Sequence, residues 1–216
     1  GMRTWRGVPF GASTAHTGRF RAPQPAEKWQ GLYDASRFAP PAMQGTFGWR
    51  DAVIGTEDCL TLDIVRPDTD EELPVVVYFH GGTFVTGASN EKVLQGHLLA
   101  DATQVVYVSV NFRLGVLGYL DFRSVGGDCV ATPALLDQIL ALEWVRDNIA
   151  GFGGDPDAVT IMGESAGGAA VIHLMCAPGA RGLFHRAIAQ SPPPASVHSR
   201  LQATMWVREL LNKMGL

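Results

Sequence analysis

Apolar and β-branched residues are gathered into short, unbroken runs separated by glycine, proline and polar clusters. Pro74 to His80 (Pro-Val-Val-Val-Tyr-Phe-His) is continuously apolar and stops at Gly81-Gly82. Such a run reads as a strand buried on both faces, central in a parallel sheet. Val105 to Val110 reads as a second, with a short helix predicted between them over residues 90–102. Ala158 to Met162 is a third buried strand, and Ala187 to Gln190 a fourth, shorter one. A helix is expected from Thr132-Pro133, with Thr132 as the N-cap and Pro133 at the first helical position. It is expected to end at Gly151, Gly153 and Gly154. Further helices are predicted from Ser165 to Ala177, stopped by Pro178, and over residues 199–214. Pro192-Pro193-Pro194 reads as a rigid turn. Residues 1–56 show little periodicity and read as irregular structure with short strands. Strands alternating with helices imply an α/β fold with a mostly parallel, doubly wound sheet.

Composition narrows the function. At 216 residues the chain is long enough for a real core, and 46% hydrophobic with 18% charged residues excludes a disordered chain or a coiled coil. A net charge of −4 argues against nucleic acid as a partner. No apolar run approaches the length of a membrane span, and no signal peptide is visible. Cys59, Cys129 and Cys176 form no zinc-ligand spacing, and three cysteines cannot all pair within one chain. No metal or cofactor is implied.

The chemistry lies in Gly163-Glu164-Ser165-Ala166-Gly167, a G-x-S-x-G motif between a predicted strand and a predicted helix. A serine on that turn is held strained, with Oγ exposed above the sheet. The helix N-terminus adds a partial positive charge, and the Ala166 N–H points at a developing oxyanion. A serine that merely caps a helix does not need so many glycines around it. The second element is His80-Gly81-Gly82-Thr83-Phe84, whose flexible turn can present further oxyanion donors.

With these motifs the chain resembles the type-B carboxylesterases of the α/β-hydrolase fold, the group that includes bacterial esterases and cholinesterases. The resemblance runs from Gly7 to about Ser191. It is carried by Gly7-Val8-Pro9-Phe10, Arg19 to Pro23, Thr56 to Ile64 (with Glu57-Asp58-Cys59-Leu60), His80 to Gly87 and Asn111 to Gly115. Phe152 to Pro156, Gly163 to Gly168 and Ala187 to Ser191 complete the set. It implies Ser165 as nucleophile and Gly82, Thr83 and Ala166 as oxyanion donors. Gly81, Glu164 and Ser191 would support them. Arg19 with Glu57, and Arg113 with Asp155, would be structural ion pairs. The expected reaction is hydrolysis of small carboxylic esters through an acyl-serine intermediate. The alternative is a catalytically silent cholinesterase-like interaction module or an inactive fragment.

A triad also needs an acid and a histidine, in that order after the serine. His173, His185 and His198 follow Ser165, but each reads as a packing or surface residue, as does His80 before the oxyanion turn. His16 and His97 carry no motif. The resemblance therefore implies that residues 1–216 are the N-terminal part of a single hydrolase domain, truncated at both ends. The C-terminal part of the same protein would then be present as a second polypeptide. Several positions depart from the family pattern. Thr83 stands where a smaller residue is usual, and residues 128–134 differ from the usual lead into the helix. Pro40-Pro41 is followed by Ala42-Met43, so Cys59 lacks the family's cysteine partner. A free thiol suits a reducing compartment, and a bacterial cytoplasmic location is expected over secretion. Trp49 is expected in a core or rim position.

Overall fold

The computed structural model describes residues 1–46, 52–193 and 197–216. Trp49 and Pro194 lie outside them. A six-stranded sheet in the order β1-β4-β6-β5-β7-β8 forms the centre. Its strands are β1 (Met2–Pro9), β4 (Thr61–Pro67), β5 (Leu73–Phe79), β6 (Val106–Val110), β7 (Gly154–Glu164) and β8 (Arg186–Gln190). A separate ribbon joins β2 (Gln44–Gly45) to β3 (Val53–Ile54). The helices are α1 (His97–Thr103), α2 (Gly115–Tyr119), α3 (Pro133–Asn148), α4 (Ala166–Cys176) and α5 (Arg200–Met214).

The apolar runs form the parallel half. β5 pairs in parallel with both β6 and β7, and β7 with β8. Side chains alternate across this layer. Val75, Val77 and Phe79, with Val106, Val108 and Val110, join the main core beneath α3 and α4. Tyr78 and Tyr107 turn to the opposite face, in a smaller core with Ala100 of α1. With both faces covered, the central strands have no solvent side, which is why they read as solid apolar runs.

β4 was not foreseen, and β1 was expected only as one of the short strands of an irregular stretch. β1 pairs antiparallel with β4, and β4 antiparallel with β6, so the sheet is mixed at this edge. The polar positions of β4 mask it. Asp63 accepts from the Gly7 N–H at 2.8 Å and from the Ser89 hydroxyl at 2.5 Å. Arg66, 3% exposed, donates to the carbonyls of Pro67, Thr69, Glu71 and Phe152. Polar side chains satisfied inside the fold, one by donors and one by carbonyls, break the alternation that identifies a strand.

Helix boundaries also shift. The helix expected over 90–102 is confined to His97–Thr103, after a 3-10 turn at Lys92–Leu94. Gly96 separates them at φ 74°, where a Cβ would fall 2.0 Å from the Tyr107 ring. Thr132 occupies the N-cap position of α3 but makes no side-chain capping bond. α3 ends at Asn148 and continues as a 3-10 turn to Phe152, capped by Gly153 at φ 73°. Gly154 opens β7 instead of ending the helix.

Candidate active site

The carboxyl ends of the parallel strands share one edge of the sheet, since Phe79 pairs with both Val110 and Gly163, and Glu164 with Gln190. Ligands of open α/β sheets bind outside such an edge. Ser165 sits there between β7 and α4, at φ 56° and ψ −119°. That backbone conformation is costly for a non-glycine residue. Ser165 stands at the N-cap position, yet its side chain makes no capping bond, and among the described residues none hydrogen-bonds its hydroxyl. The partly exposed Oγ is left free for other work. The turn is held by its backbone: the Ser165 N–H donates to the Gln190 carbonyl at 2.9 Å, and the Ala169 N–H to the Ser165 carbonyl at 3.0 Å.

The surrounding glycines are steric requirements. A Cβ on Gly163 would lie 2.4 Å from the Gly167 carbonyl, and one on Gly167 would lie 2.0 Å from the Phe79 oxygen. One on Gly168 would meet the Gln190 oxygen at 2.6 Å. Helix α4 can therefore enter directly beside β5 and β8 only with hydrogen at these three positions. As its first residue, Ala166 has an N–H without an intrahelical partner.

The second wall is the loop from Gly81 to Ser89. A Cβ on Gly81 would lie 3.4 Å from the Ser165 Cβ and 2.9 Å from the Glu164 carbonyl, so this turn rests against the serine. Gly82 (φ 110°), Thr83 (φ 53°) and Phe84 (φ 65°) follow with left-handed backbones. The Gly82 carbonyl accepts from the N–H groups of Val85 and Thr86, both at 3.0 Å, while those of Gly82 and Thr83 have no acceptor among the described residues. Unpaired N–H groups beside a free serine hydroxyl make a cradle for negative charge. Glu164 is exposed, and its carboxylate oxygen lies 3.1 Å from where a Gly81 Cβ would be. Ser191, at φ 44°, leaves β8 immediately after the Gln190 carbonyl that holds Ser165.

Sequence reasoning missed what holds the loop. Gln44 of β2 accepts through one amide oxygen from the Gly87 N–H at 2.9 Å and the Thr86 hydroxyl at 2.6 Å. Its Nε2 donates to the carbonyls of Gly87 and Ala42. His80 stacks on Phe112 and donates from Nδ1 to the Gly81 carbonyl at 2.8 Å. Burial pushes its pKa down to about 4, so the ring is neutral and structural.

The expected Arg19–Glu57 pair is present, and Arg19 holds the Glu57 carboxyl below its ordinary range. The expected Arg113–Asp155 pair is not. Arg113 binds Asp137 of α3 with two guanidinium bonds of 2.8 and 2.6 Å, and both residues are buried. Asp155 instead accepts from the Asp157 N–H at 2.8 Å. The reason is topological. Arg113 follows the carboxyl end of β6, whereas Asp155 begins β7 at the opposite end of the sheet, a strand length or about 20 Å away. Of the later histidines, His185 accepts from the Val159 N–H and His198 packs edge-on against Trp206. His173 is partly buried, with a lowered pKa from desolvation, on the α4 side of a neighbouring cavity.

The sequence matches the carboxylesterase family over residues 1–216. The chain belongs to that family. It is 40% identical over 196 residues to the para-nitrobenzyl esterase of Bacillus subtilis (strain 168), covering 88% of this chain and 40% of that protein. It is 38% identical over 224 residues to the phenmedipham hydrolase of Pseudarthrobacter oxydans, covering 100% of this chain and 44% of that one. A solved PNB esterase superposes with a TM-score of 0.92 at 37% identity, over 100% of this chain and 45% of its own. The fold is thus that of the α/β-hydrolases. The chain spans less than half the length of these relatives. Among the described residues no helix is long and apolar enough to cross a membrane.

Proposed function

We propose that this carboxylesterase-family chain carries the nucleophile and the oxyanion cradle of a serine esterase acting on small carboxylic esters. The observation that carries this is Ser165, strained at φ 56° with a hydroxyl uncommitted among the described residues, packed against the Gly81 turn that leads into the unpaired N–H groups of Gly82 and Thr83. Its Oγ attacks the ester carbonyl carbon as a base removes the hydroxyl proton. The carbonyl oxygen becomes an oxyanion held by the N–H groups of Gly82, Thr83 and Ala166. Collapse expels the alcohol, which takes up the proton, and leaves an acyl-serine. Water then attacks that ester, releasing the acid and restoring the serine. Each oxyanion donor contributes roughly 3 kcal/mol of transition-state stabilisation. Glu164 and Ser191 support the turn from either side.

The base and its orienting acid belong, in this proposal, to the C-terminal part of the same protein, present as a second polypeptide. Support comes from β8, whose outer edge is unpaired among the described residues and whose five residues are all exposed, Ile188 at 45%. An open strand edge with an exposed apolar residue is a ready docking template. The free thiols of Cys59, Cys129 and Cys176 support a reducing, cytoplasmic setting.

Denaturing intact-mass spectrometry of the purified protein, with and without a fluorophosphonate, tests the reading. A second polypeptide and an adduct mapped to Ser165 are expected. A lone 23.2 kDa species that takes no adduct would instead identify a catalytically silent chain.

A further inference from the structure

The two loop N–H groups taken as oxyanion donors are the far ends of peptide planes whose carbonyls are held. In a planar trans peptide the C=O of one residue and the N–H of the next point in opposite directions. The Gly82 carbonyl accepts from the N–H groups of Val85 and Thr86, both at 3.0 Å, and from the Thr83 hydroxyl at 2.8 Å. The Thr83 N–H, at the other end of that peptide, therefore points away from Val85 and Thr86. The Gly81 carbonyl accepts from His80 Nδ1 at 2.8 Å and lies 2.7 Å from where a Gly87 Cβ would be. The Gly82 N–H is turned away from Gly87 in the same manner. Two consecutive carbonyls thus face the Thr86-Gly87 stretch. The two N–H groups face away from it, without an acceptor among the described residues.

Thr86 and Gly87 are in turn fixed by one buried side chain, Gln44 of β2. Its Oε1 accepts from the Thr86 hydroxyl at 2.6 Å and from the Gly87 N–H at 2.9 Å. Its Nε2 donates to the Gly87 carbonyl at 2.9 Å and to the Ala42 carbonyl at 3.0 Å. A primary amide has two acceptor lone pairs and two donor hydrogens, so every position is filled. All but one are filled by Thr86 and Gly87. Thr86 is the link between clamp and donors, since its hydroxyl binds Gln44 while its N–H binds the Gly82 carbonyl.

We propose that Gln44 and Thr86 are positioning residues of the oxyanion site. By clamping Thr86 and Gly87 they keep the Gly81 and Gly82 carbonyls on that side, and so aim the Gly82 and Thr83 N–H groups as donors. The inference rests on the serine-esterase reading and adds to it a remote control of the transition state. Donors aimed at a developing charge act on the transition state and not on the bound ester, so the effect should fall on kcat and leave KM unchanged.

The test is hydrolysis of 4-nitrophenyl acetate by the assembled protein. Thr86→Val keeps the shape and removes the hydroxyl. It should lower kcat about three- to tenfold, the range of one net hydrogen bond, short of the ~10²–10³ for losing a donor outright. Thr86→Ser, which keeps the hydroxyl, should stay within about twofold of wild type. Gln44→Met should lower kcat at least as much as Thr86→Val, and adding Thr86→Val to it should lower kcat no further. Two ketones separate aim from mere shape. Ser165 Oγ adds to the carbonyl carbon of 2,2,2-trifluoroacetophenone, its proton passes to the base, and the carbonyl oxygen becomes the oxyanion. Acetophenone forms no stable adduct. Thr86→Val should weaken the trifluoro ketone by the same factor as kcat and leave acetophenone unchanged. An unchanged kcat, a rise in KM alone, or equal loss for both ketones overturns the inference. Where one single variant does not assemble, the other decides it by the same readings. A wild-type protein that hydrolyses no ester and takes no fluorophosphonate overturns the esterase reading and the inference with it. A wild-type protein that does both, with Thr86→Val unchanged, overturns the inference alone.

Discussion

The two walls of the site are strained in the same way and held in different ways. On the serine side, the left-handed backbone of Ser165 is fixed by main-chain contact: glycines 163, 167 and 168 lie against carbonyls of neighbouring strands or of the turn itself. On the oxyanion side, Gly82, Thr83 and Phe84 are equally left-handed, but hydrogen bonds hold the loop. Gln44 binds its far end, His80 its near end, and the Gly115 N–H donates to the Phe84 carbonyl at 2.8 Å. Contact fixes position without room for adjustment. Hydrogen bonds fix it with a dependence on protonation and on remote residues. The serine wall should therefore fail abruptly on adding a methyl group, and the oxyanion wall gradually with pH and with loss of its anchors.

The largest effect should come from the serine wall. Gly167→Ala puts a carbon 2.0 Å from the Phe79 oxygen, which no flexible side chain can relieve. Urea unfolding should show a loss upwards of about 3 kcal/mol, because β5 or α4 must move. An unchanged midpoint would show that the turn is softer than its contacts imply.

The oxyanion wall should answer to acid. The His80 pKa is depressed to about 4 in the fold, against 6.5 unperturbed. A depressed pKa means that the unfolded state takes the proton first. The stability His80 contributes is thus complete above pH 6.5 and is lost as pH falls through 4. The full loss is about 3 kcal/mol. His80→Phe should flatten stability between pH 6.5 and 4. Gln44→Leu comes next. It removes the acceptor for the Gly87 N–H and the Thr86 hydroxyl and should cost about 1–3 kcal/mol at any pH. Its effect should be confined to the loop, read as faster amide exchange at Gly87 with α4 unchanged.

The same contrast explains what could be read from the sequence. The serine wall was legible because it is local: strand, G-x-S-x-G-G and helix are contiguous, and each glycine answers a contact within that unit or with an adjacent strand. The parallel strands were legible because burial on both faces leaves only apolar residues. β4 was not, because its polar Asp63 is satisfied by Gly7 and Ser89, far away in sequence, and its buried Arg66 by carbonyls of the following turn and of Phe152. Arg113 was seen to need a partner, but the choice between Asp137 and Asp155 depends on which end of the sheet each one occupies. Gln44 gives no signal at all. It sits in an aperiodic stretch, and its value lies in folding back onto Thr86 and Gly87.

The smallest effect separates strain that serves chemistry from strain that serves shape. Glycine adopts left-handed backbone without a Cβ clash but loses more conformational freedom on folding. At Ser165, with ψ at −119°, the relief should outweigh the entropy, so Ser165→Gly should gain about 1 kcal/mol of stability. It should also abolish fluorophosphonate labelling. At Thr83 the relief is offset by that entropy and by loss of the hydroxyl's 2.8 Å bond to the Gly82 carbonyl. Thr83→Gly should therefore change stability by less than about 0.5 kcal/mol, within the usual range for a surface substitution. The N–H survives that substitution, so labelling at Ser165 should persist. A labelling rate that fell with Thr83→Gly would show that the threonine side chain, and not only its backbone, shapes the oxyanion wall.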